Sequence, residues 1–448
     1  MDYFRYVILL IGLFSYGCFI SNILTLNFAV VCDASTNETA LITYETSEMN
    51  FLFSIVAFGN IVGTIPIQFL FRKIGPKNTF CLYLLISLTS TALNPFGLRT
   101  NYFIMLFIRF FQGFSWAIAL PGLGSMTYSW APIIESGIYM TTLSTSGQTA
   151  PLITMYLSSQ LCTHNFGSAS IFYVHSLISL ALLTISFIFY KDDPEDSKFV
   201  AEEEAKYIKK GKKGSNDNKI SKEPVPYKKV FLNPTLTLGN ITYFIYFLSM
   251  HLWMQYAAIY INIILGYDVA TTGMITSFPY FFGIGVKLLY GYLSDKERFC
   301  SLPVVLRILQ GSSQLTTGIT FLILGFFATQ YKFLDVILYA IQIVLGSSAS
   351  VAIFKSCLLV SQQHFHFVMS IASIANSVAL LIVPSLVNII MPNFEVSGWK
   401  ALFTLIGTLT VLSNIGFLIV MKTEPEKWTK NNIVKDSHKD KSADNNII

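Results

Sequence analysis

The stretch Arg109-Phe-Phe-Gln112-Gly113-Phe-Ser-Trp116-Ala-Ile-Ala-Leu-Pro121 puts a permanent positive charge inside an otherwise apolar run. Phe103 to Ile108 precede the arginine, and small and aromatic residues follow it to about Met126. A cation near the middle of a membrane helix costs about 2.5–3.5 kcal/mol on insertion scales, so it needs a cavity, a partner or an anion. Two readings stand: a structural arginine satisfied by carbonyls or a neighbouring helix, or an anion anchor lining a solute pathway. Gln112, Gly113 and Trp116 follow Arg109 at i+3, i+4 and i+7, which places a polar face on this helix.

Away from their ends, the apolar runs also contain Lys287, Lys355 and the titratable His251, and no interior Asp or Glu. Cations without acidic partners point to a bound anion, and a guanidinium is suited to bidentate recognition of carboxylate or phosphate. Gln148, Asn240, Gln255, Gln310 and Gln314 could add hydrogen bonds, although such amides ordinarily bond helix to helix. Lys355 and Lys287 could instead snorkel to the interface, and His251 could carry a proton or simply pack. No run shows a Ser/His, paired Asp or Cys/His arrangement for nucleophilic or acid–base work, so an enzyme is not expected.

The elements that must hold these residues follow from composition. Of 448 residues, 53% are hydrophobic and 12% charged, outside the range of a soluble chain. Twelve apolar runs fall at about 4–31, 51–71, 79–98, 103–127, 138–160, 169–190, 235–263, 272–293, 303–327, 333–360, 367–391 and 400–421. Each is near the ~20 residues that cross a bilayer as helix. The fold expected is all-α and polytopic, with twelve transmembrane helices in two six-helix bundles, residues 1–190 and 234–421. Residues 191–233 form the linker and 422–448 a disordered tail, both cytosolic. The first run is too long for a signal h-region and no cleavage site follows it, so it is read as a retained span.

Basic residues fix the orientation. With a cytosolic N-terminus, inner segments hold Arg5, Arg72, Lys73, Lys77, the Lys-rich linker, Lys296, Arg298, Arg307 and the Lys-rich tail. Outer segments hold only Arg99, Lys332 and Lys400. Outer loop 32–50 carries the sequon Asn37-Glu38-Thr39, a glycosylation acceptor needing the lumenal or extracellular side. The other sequon, at Asn240, lies inside a span and should be unused. The net charge of +5 belongs to cytosolic loops and does not imply nucleic acid. The six cysteines have no metal-ligand spacing; Cys32 and Cys162 alone fall on the outer side, as a disulfide or as two free thiols.

The halves echo one another. Arg72-Lys73-Ile-Gly75-Pro76-Lys77 follows span 2, and Gly291-Tyr-Leu-Ser-Asp295-Lys296 follows span 8 at the equivalent place. The second matches the G-x-x-x-D-[RK] latch pattern of the major facilitator superfamily; the first keeps only its basic part. Further motifs resemble one branch of that superfamily, the anion transporters that include sialin, the vesicular glutamate and nucleotide transporters and the sodium–phosphate cotransporters. They are Gly59-Asn-Ile-Val-Gly-Thr-Ile-Pro66, Arg109-Phe-Phe-Gln112-Gly113 with Pro121, Trp130-Ala131-Pro132 with Glu135, Asp193-Pro194, Glu204-Ala-Lys-Tyr207-Ile208, Val225-Pro226-Tyr227-Lys228 and Glu424-Pro-Glu-Lys-Trp428.

The resemblance implies transport of a small organic anion or phosphate by halves that rock about a central site. It implies no cofactor beyond a coupling ion, sodium or proton, a lipid bilayer as environment, and a monomer in the plasma membrane or a lysosomal or vesicular membrane. The family's charged site is only partly present. An arginine expected in span 1 is Thr25, a proton-coupling glutamate seven residues after Arg109 is Trp116, a histidine is Gly124, and the span 7 arginine of some members aligns with Tyr246. The substrate-binding set expected is therefore Arg109, Gln112, Trp116, Thr25, Gln148, Tyr246, Lys287 and His251, with Arg72, Lys73, Asp295 and Lys296 as latch. Coupling to sodium or to membrane potential fits better than proton symport through the missing glutamate. A non-transporting sensor or scaffold on the same fold is the alternative that the lost charges favour.

Overall fold

Lipid offers no hydrogen bonds, so each apolar run satisfies its own backbone as helix. The computed structural model of the chain describes residues 3–35, 44–132, 135–164, 167–209, 226–294, 301–361, 365–392 and 394–429. Span 1 is Phe4–Ser35, and span 2 begins as Thr46–Thr64. Ile67–Thr100 carries the end of span 2 and all of span 3, folded back at Gly75. Span 4 is Tyr102–Trp116 with Ala119–Trp130, span 5 is Ser136–Ser144 with Ser146–Thr163, and span 6 is Ser168–Phe189.

In the second half, span 7 is Pro234–Ile259 with a π-helical end at Tyr260–Ile264, and span 8 is Val269–Ser294. Span 9 runs through Leu302–Gln310, a π-helical turn at Gly311–Leu315, and Thr316–Phe327. Span 10 is Lys332–Gly346 with Ala349–Ser361, span 11 is Phe365–Ile390 and span 12 is Val396–Val420. The twelve runs read from the sequence are thus twelve helical spans, and they return the chain alternately to two faces. The face that carries residue 3, the 191–209 segment and residues 421–429 is here the terminal face; the opposite one is the far face.

The breaks have local causes. Gly75 has φ +84°, a left-handed value that Pro76 then locks in place, and the chain reverses there. Span 4 is interrupted at Ala117 and Ile118 because Pro121 lacks the N–H that would bond the Ala117 carbonyl. Within the first half, spans 2 and 4 approach backbone to backbone. A Cβ added at Gly59, Gly63 or Gly113 would strike the carbonyls of Phe110, Phe114 and Val56 respectively. The glycines of two sequence motifs are thus one seam, the small-residue packing that replaces hydrophobic driving force in lipid.

The halves meet along spans 1 and 7, 2 and 11, and 5 and 8. Asn27 donates to the Met254 carbonyl (3.0 Å), Tyr256 to Asn50 Oδ1 (2.7 Å) and Ser377 to Asn60 Oδ1 (3.0 Å). Cys32 and Cys162 form a disulfide, tying span 1 to span 5 at the far face.

The start of the linker is not the free tether its charge suggests. Trp130 Nε1 donates to the Lys191 carbonyl (2.8 Å), and Asp192 accepts from the backbone N–H of Lys77 (2.7 Å), capping span 3. Helix Glu202–Lys209 docks Glu204 against the first turn of span 1, where the N–H groups of Phe4 and Arg5 reach its carboxylate (3.1 Å each). The basic middle of the linker and the tail from residue 430 lie outside the described residues.

Candidate functional site

Arg109 is 1% exposed and its guanidinium is turned into the first half. Nε donates to the Leu52 carbonyl (3.3 Å), and one terminal nitrogen to the Ile23 carbonyl (3.1 Å) and Gln112 Oε1 (2.6 Å). Gln112 Nε2 then reaches the Asn22 carbonyl (3.0 Å) and Thr91 Oγ1 (2.9 Å). Thr25 is fully buried and donates to the same Asn22 carbonyl (2.8 Å). Arg109, Gln112 and Thr25 therefore belong to one network that knits spans 1, 2, 3 and 4. None of them lines the central cavity.

That cavity lies mid-membrane, mostly within the second half. Gln148 of span 5, Tyr246 and Trp253 of span 7, Tyr280 of span 8, Thr317 and Phe321 of span 9, and Gln342 and Ser347 of span 10 line it. Its volume is about 40 Å³, room for a few waters in this closed arrangement. Trp253 Nε1 donates to Gln342 Oε1, while Gln342 Nε2 has no partner among the described residues. Both amide atoms of buried Gln255 and of buried Gln314 are also unpartnered among the described residues, but neither residue lines the cavity. Buried amides are ordinarily bonded, so Gln342 Nε2 is a donor for a polar solute or water in the cavity.

Lys287 does not line this cavity but is joined to its wall through one hydrogen bond, to Gln148. Its side chain does not reach for the membrane surface: it is 7% exposed, and Nζ crosses the half-to-half seam from span 8 to span 5. It donates to the Ser144 carbonyl (3.1 Å) and to Gln148 Oε1 (3.3 Å), the amide that lines the cavity. Among the described residues no carboxylate pairs with it. Lys355 lies lower in span 10, where it donates to the Ser294 carbonyl (2.7 Å).

His251 and Trp116 meet across the same seam, His251 Nε2 2.9 Å from Asn376 Oδ1 and its ring edge-on to Trp116 at 6.2 Å between centroids. Tyr246 stacks on Tyr243 at 5.6 Å. The eight expected binding residues thus separate into a scaffold group (Arg109, Gln112, Thr25), a cavity group (Gln148, Tyr246, Lys287) and a seam pair (Trp116, His251). Arg72 and Lys73 sit in the last turn before Gly75, Lys73 Nζ 5.5 Å above the Phe69 ring. Their expected partners Asp295 and Lys296, and the sequon at Asn37, lie outside the described residues.

Three features were missed in the sequence. His175 of span 6 is a further buried imidazole, its Nδ1 2.8 Å from the Ile171 carbonyl. Asp335 at the far-face start of span 10 is 1% exposed, so a buried carboxylate exists where the apolar runs suggested none. At the terminal face, Arg5 pairs with Glu135 (3.0 Å) and Glu204 (3.1 Å). Tyr6 and Tyr207 also donate to Glu135 (3.0 and 3.3 Å). Burial opposes the Glu135 charge, but the bonds from Arg5, Tyr6 and Tyr207 outweigh it and hold its carboxyl below the usual range. The motifs around Glu135 and Glu204–Ile208 gave the signal; their meeting at Arg5, 199 residues from Glu204, is a tertiary event.

The Major Facilitator Superfamily profile matches residues 6–310. The human "Sodium-dependent phosphate transport protein 1" is 24% identical over 386 residues, 85% of this chain and 81% of that protein. Human "Sialin" is 22% identical over 379 residues, 84% and 75% of the two chains. The mouse "Probable small intestine urate exporter" is 22% identical over 382 residues, 85% and 77%. Among solved structures, a D-xylose-proton symporter superposes with TM-score 0.69 at 14% identity, covering 94% of this chain and 98% of its own. With its paired six-helix halves, the chain belongs to the Major Facilitator Superfamily, a family of transporters rather than enzymes, as a divergent relative of the sialin and sodium–phosphate group.

Proposed function

We propose that this protein carries a small organic anion or phosphate across the membrane by alternating access, with Lys287 as the cation that meets the solute. The observation that carries this reading is a nearly buried ammonium beside the cavity whose described partners are two neutral oxygens. An ion taken from water without a counter-charge stands several kcal/mol above its paired state. A solute anion supplies that counter-charge, and Gln148 passes from Lys287 to the solute or shares both.

The names of the relatives support the same class, since they are described as phosphate and urate transporters. Arg109 acts as the strut that holds spans 1 to 4 and leaves the anion to Lys287. Tyr246 and Gln148 position the solute in the cavity, while Trp116 and His251 seal the seam above it. Trp116 cannot take up a proton, so the route through a span 4 carboxylate is closed. Sodium, the membrane potential or a proton held elsewhere drives the cycle. The protein works as a monomer with both termini cytosolic and Asn37 glycosylated on the other side, in the plasma membrane or a lysosomal or vesicular membrane.

Uptake of radiolabelled phosphate, urate and organic carboxylates into proteoliposomes, with pH, sodium and voltage varied separately, tests this directly. Lys287→Gln should lower uptake of the transported anion at least ~10-fold, equivalent to about 1.4 kcal/mol, while leaving thermal stability near wild type. Uptake unchanged in Lys287→Gln removes Lys287 from the site. No flux of any anion in the wild type would instead favour the sensor or scaffold reading, which the replacement of charged positions by Thr25, Trp116 and Tyr246 supports.

A further inference from the structure

Asp335, at the far-face start of span 10, is the least exposed acidic residue among the described residues. It is 1% exposed. Its Oδ2 accepts two hydrogen bonds, from the Tyr260 hydroxyl (2.8 Å) and from the backbone N–H of Thr329 (2.8 Å). Among the described residues its Oδ1 has no hydrogen-bond partner, and neither has Nε1 of Trp399, which is fully buried.

The surroundings continue inward. On span 10, Asp335, Tyr339, Gln342 and Gly346 recur at i, i+4, i+7 and i+11 and are all buried. On span 7, Tyr260, Trp253 and Tyr246 make the facing stripe. The two stripes touch throughout. Tyr260 bonds Asp335, Trp253 packs against Tyr260 (6.0 Å) and Tyr339 (5.0 Å), and Trp253 Nε1 bonds Gln342 at the cavity wall. A polar and aromatic seam therefore leads from the buried carboxylate to the proposed solute site.

We propose that Asp335 is a proton-binding site which sets the rate of anion entry from the far face. The inference rests on the anion-transport reading for its consequence, though not for the protonation itself. The step is a simple association: the Asp335 carboxylate takes one proton on the free Oδ1 and becomes a neutral acid, with no other bond made or broken. Ionised, it is a negative charge at low dielectric, seven residues along span 10 from Gln342 of the cavity wall, and repels an anion nearby; protonated, it no longer does.

The donor set selects a proton over sodium. The groups bonded to the carboxylate are an O–H and a backbone N–H, both donors, whereas a hard cation needs several oxygen acceptors. The other titratable and charged groups facing this position are Tyr260 from span 7, Lys400 from span 12, and Tyr339 and Lys332 on span 10 itself. Of these only Lys400 has an electrostatic effect on Asp335 as a charge, and it makes no ion pair with it.

A structural role is the competing explanation, because Asp335 also holds the turn at Thr329, whose φ is +69°. Asp335→Asn keeps an acceptor for Tyr260 and Thr329 and removes only the titration. Infrared difference spectra of the detergent-purified full chain between acid and neutral pH should show the C=O band of a buried carboxylic acid that Asp335→Asn lacks. Identical wild-type and Asn difference spectra would overturn the proposal whatever the flux. In proteoliposomes, acidifying the far-face compartment should accelerate wild-type anion uptake, and Asp335→Asn should lose this acid stimulation and run at one rate across pH. A retained wild-type pH response in the Asn variant would equally overturn it. A wild type that carries no anion removes the transport reading, while the infrared result still decides the protonation site.

Discussion

A buried cation becomes a strut or a binding site according to which acceptors surround it. Arg109 and Lys287 look alike in the sequence, each an isolated positive charge in an apolar run. Arg109 is enclosed by the Ile23 and Leu52 carbonyls and Gln112, all from the half that carries it. Lys287 reaches across the seam to acceptors that move when the halves move. Arg109→Ala would leave Gln112 Oε1 without its donor, at about 1–3 kcal/mol, so it should lower the melting temperature and monodispersity of purified protein. Arg109→Lys keeps the charge and loses the fork, and should destabilise as well. A variant that is fully stable but loses anion flux would make Arg109 the anchor after all.

At the scale of elements, the helices were legible in the sequence and their interruptions were not. The periodic apolar runs gave all twelve spans, with ends within a few residues except where span 2 starts at Thr46 and passes Pro66. What no run length could show is how close two helices come. Gly113, read in sequence as part of a polar face, is where the span 2 backbone touches span 4. Because a backbone carbonyl cannot swing aside as a side chain can, Gly113→Ala should separate the spans and destabilise the fold by at least ~1–3 kcal/mol, the range for overpacking. Thermal unfolding of purified Gly113→Ala checks this, and a wild-type melting temperature would show that the seam is slack. The linker teaches the converse lesson. Its basic composition reads as solvated chain, yet Asp192 and Glu204 spend their charges capping the first turns of spans 3 and 1.

The whole molecule works only if its halves can part. In this structure spans 1 and 7 are joined near the far face by Asn27 and the Met254 carbonyl. The Asn27 side chain reaches the Met254 carbonyl, so thiols placed at these two positions lie within the span of a bifunctional methanethiosulfonate reagent. The pair Asn27→Cys and Met254→Cys, cross-linked by that reagent, should therefore stop anion flux, and reduction should restore it. The same reductant applied to wild type controls for the Cys32–Cys162 bridge. Full flux in the cross-linked protein would mean that the far face does not open there.

The sequence by itself determined the membrane class, the count of spans, the division into halves and the family. The reason is that a bilayer imposes span length and internal hydrogen bonding on every segment locally. Of the cavity lining it singled out Gln148 and Tyr246 by position and type, but not Trp253, Tyr280 or Gln342. Only the tertiary structure decided which groups each buried side chain meets. Whether a charge in an apolar helix is satisfied depends on groups brought from distant sequence: Ile23 and Leu52 to Arg109, Ser144 to Lys287, Tyr260 to Asp335. Burial and hydrogen bonding are properties of that assembly, and they enclose Arg109 among oxygens of its own half while Lys287 bridges the two halves.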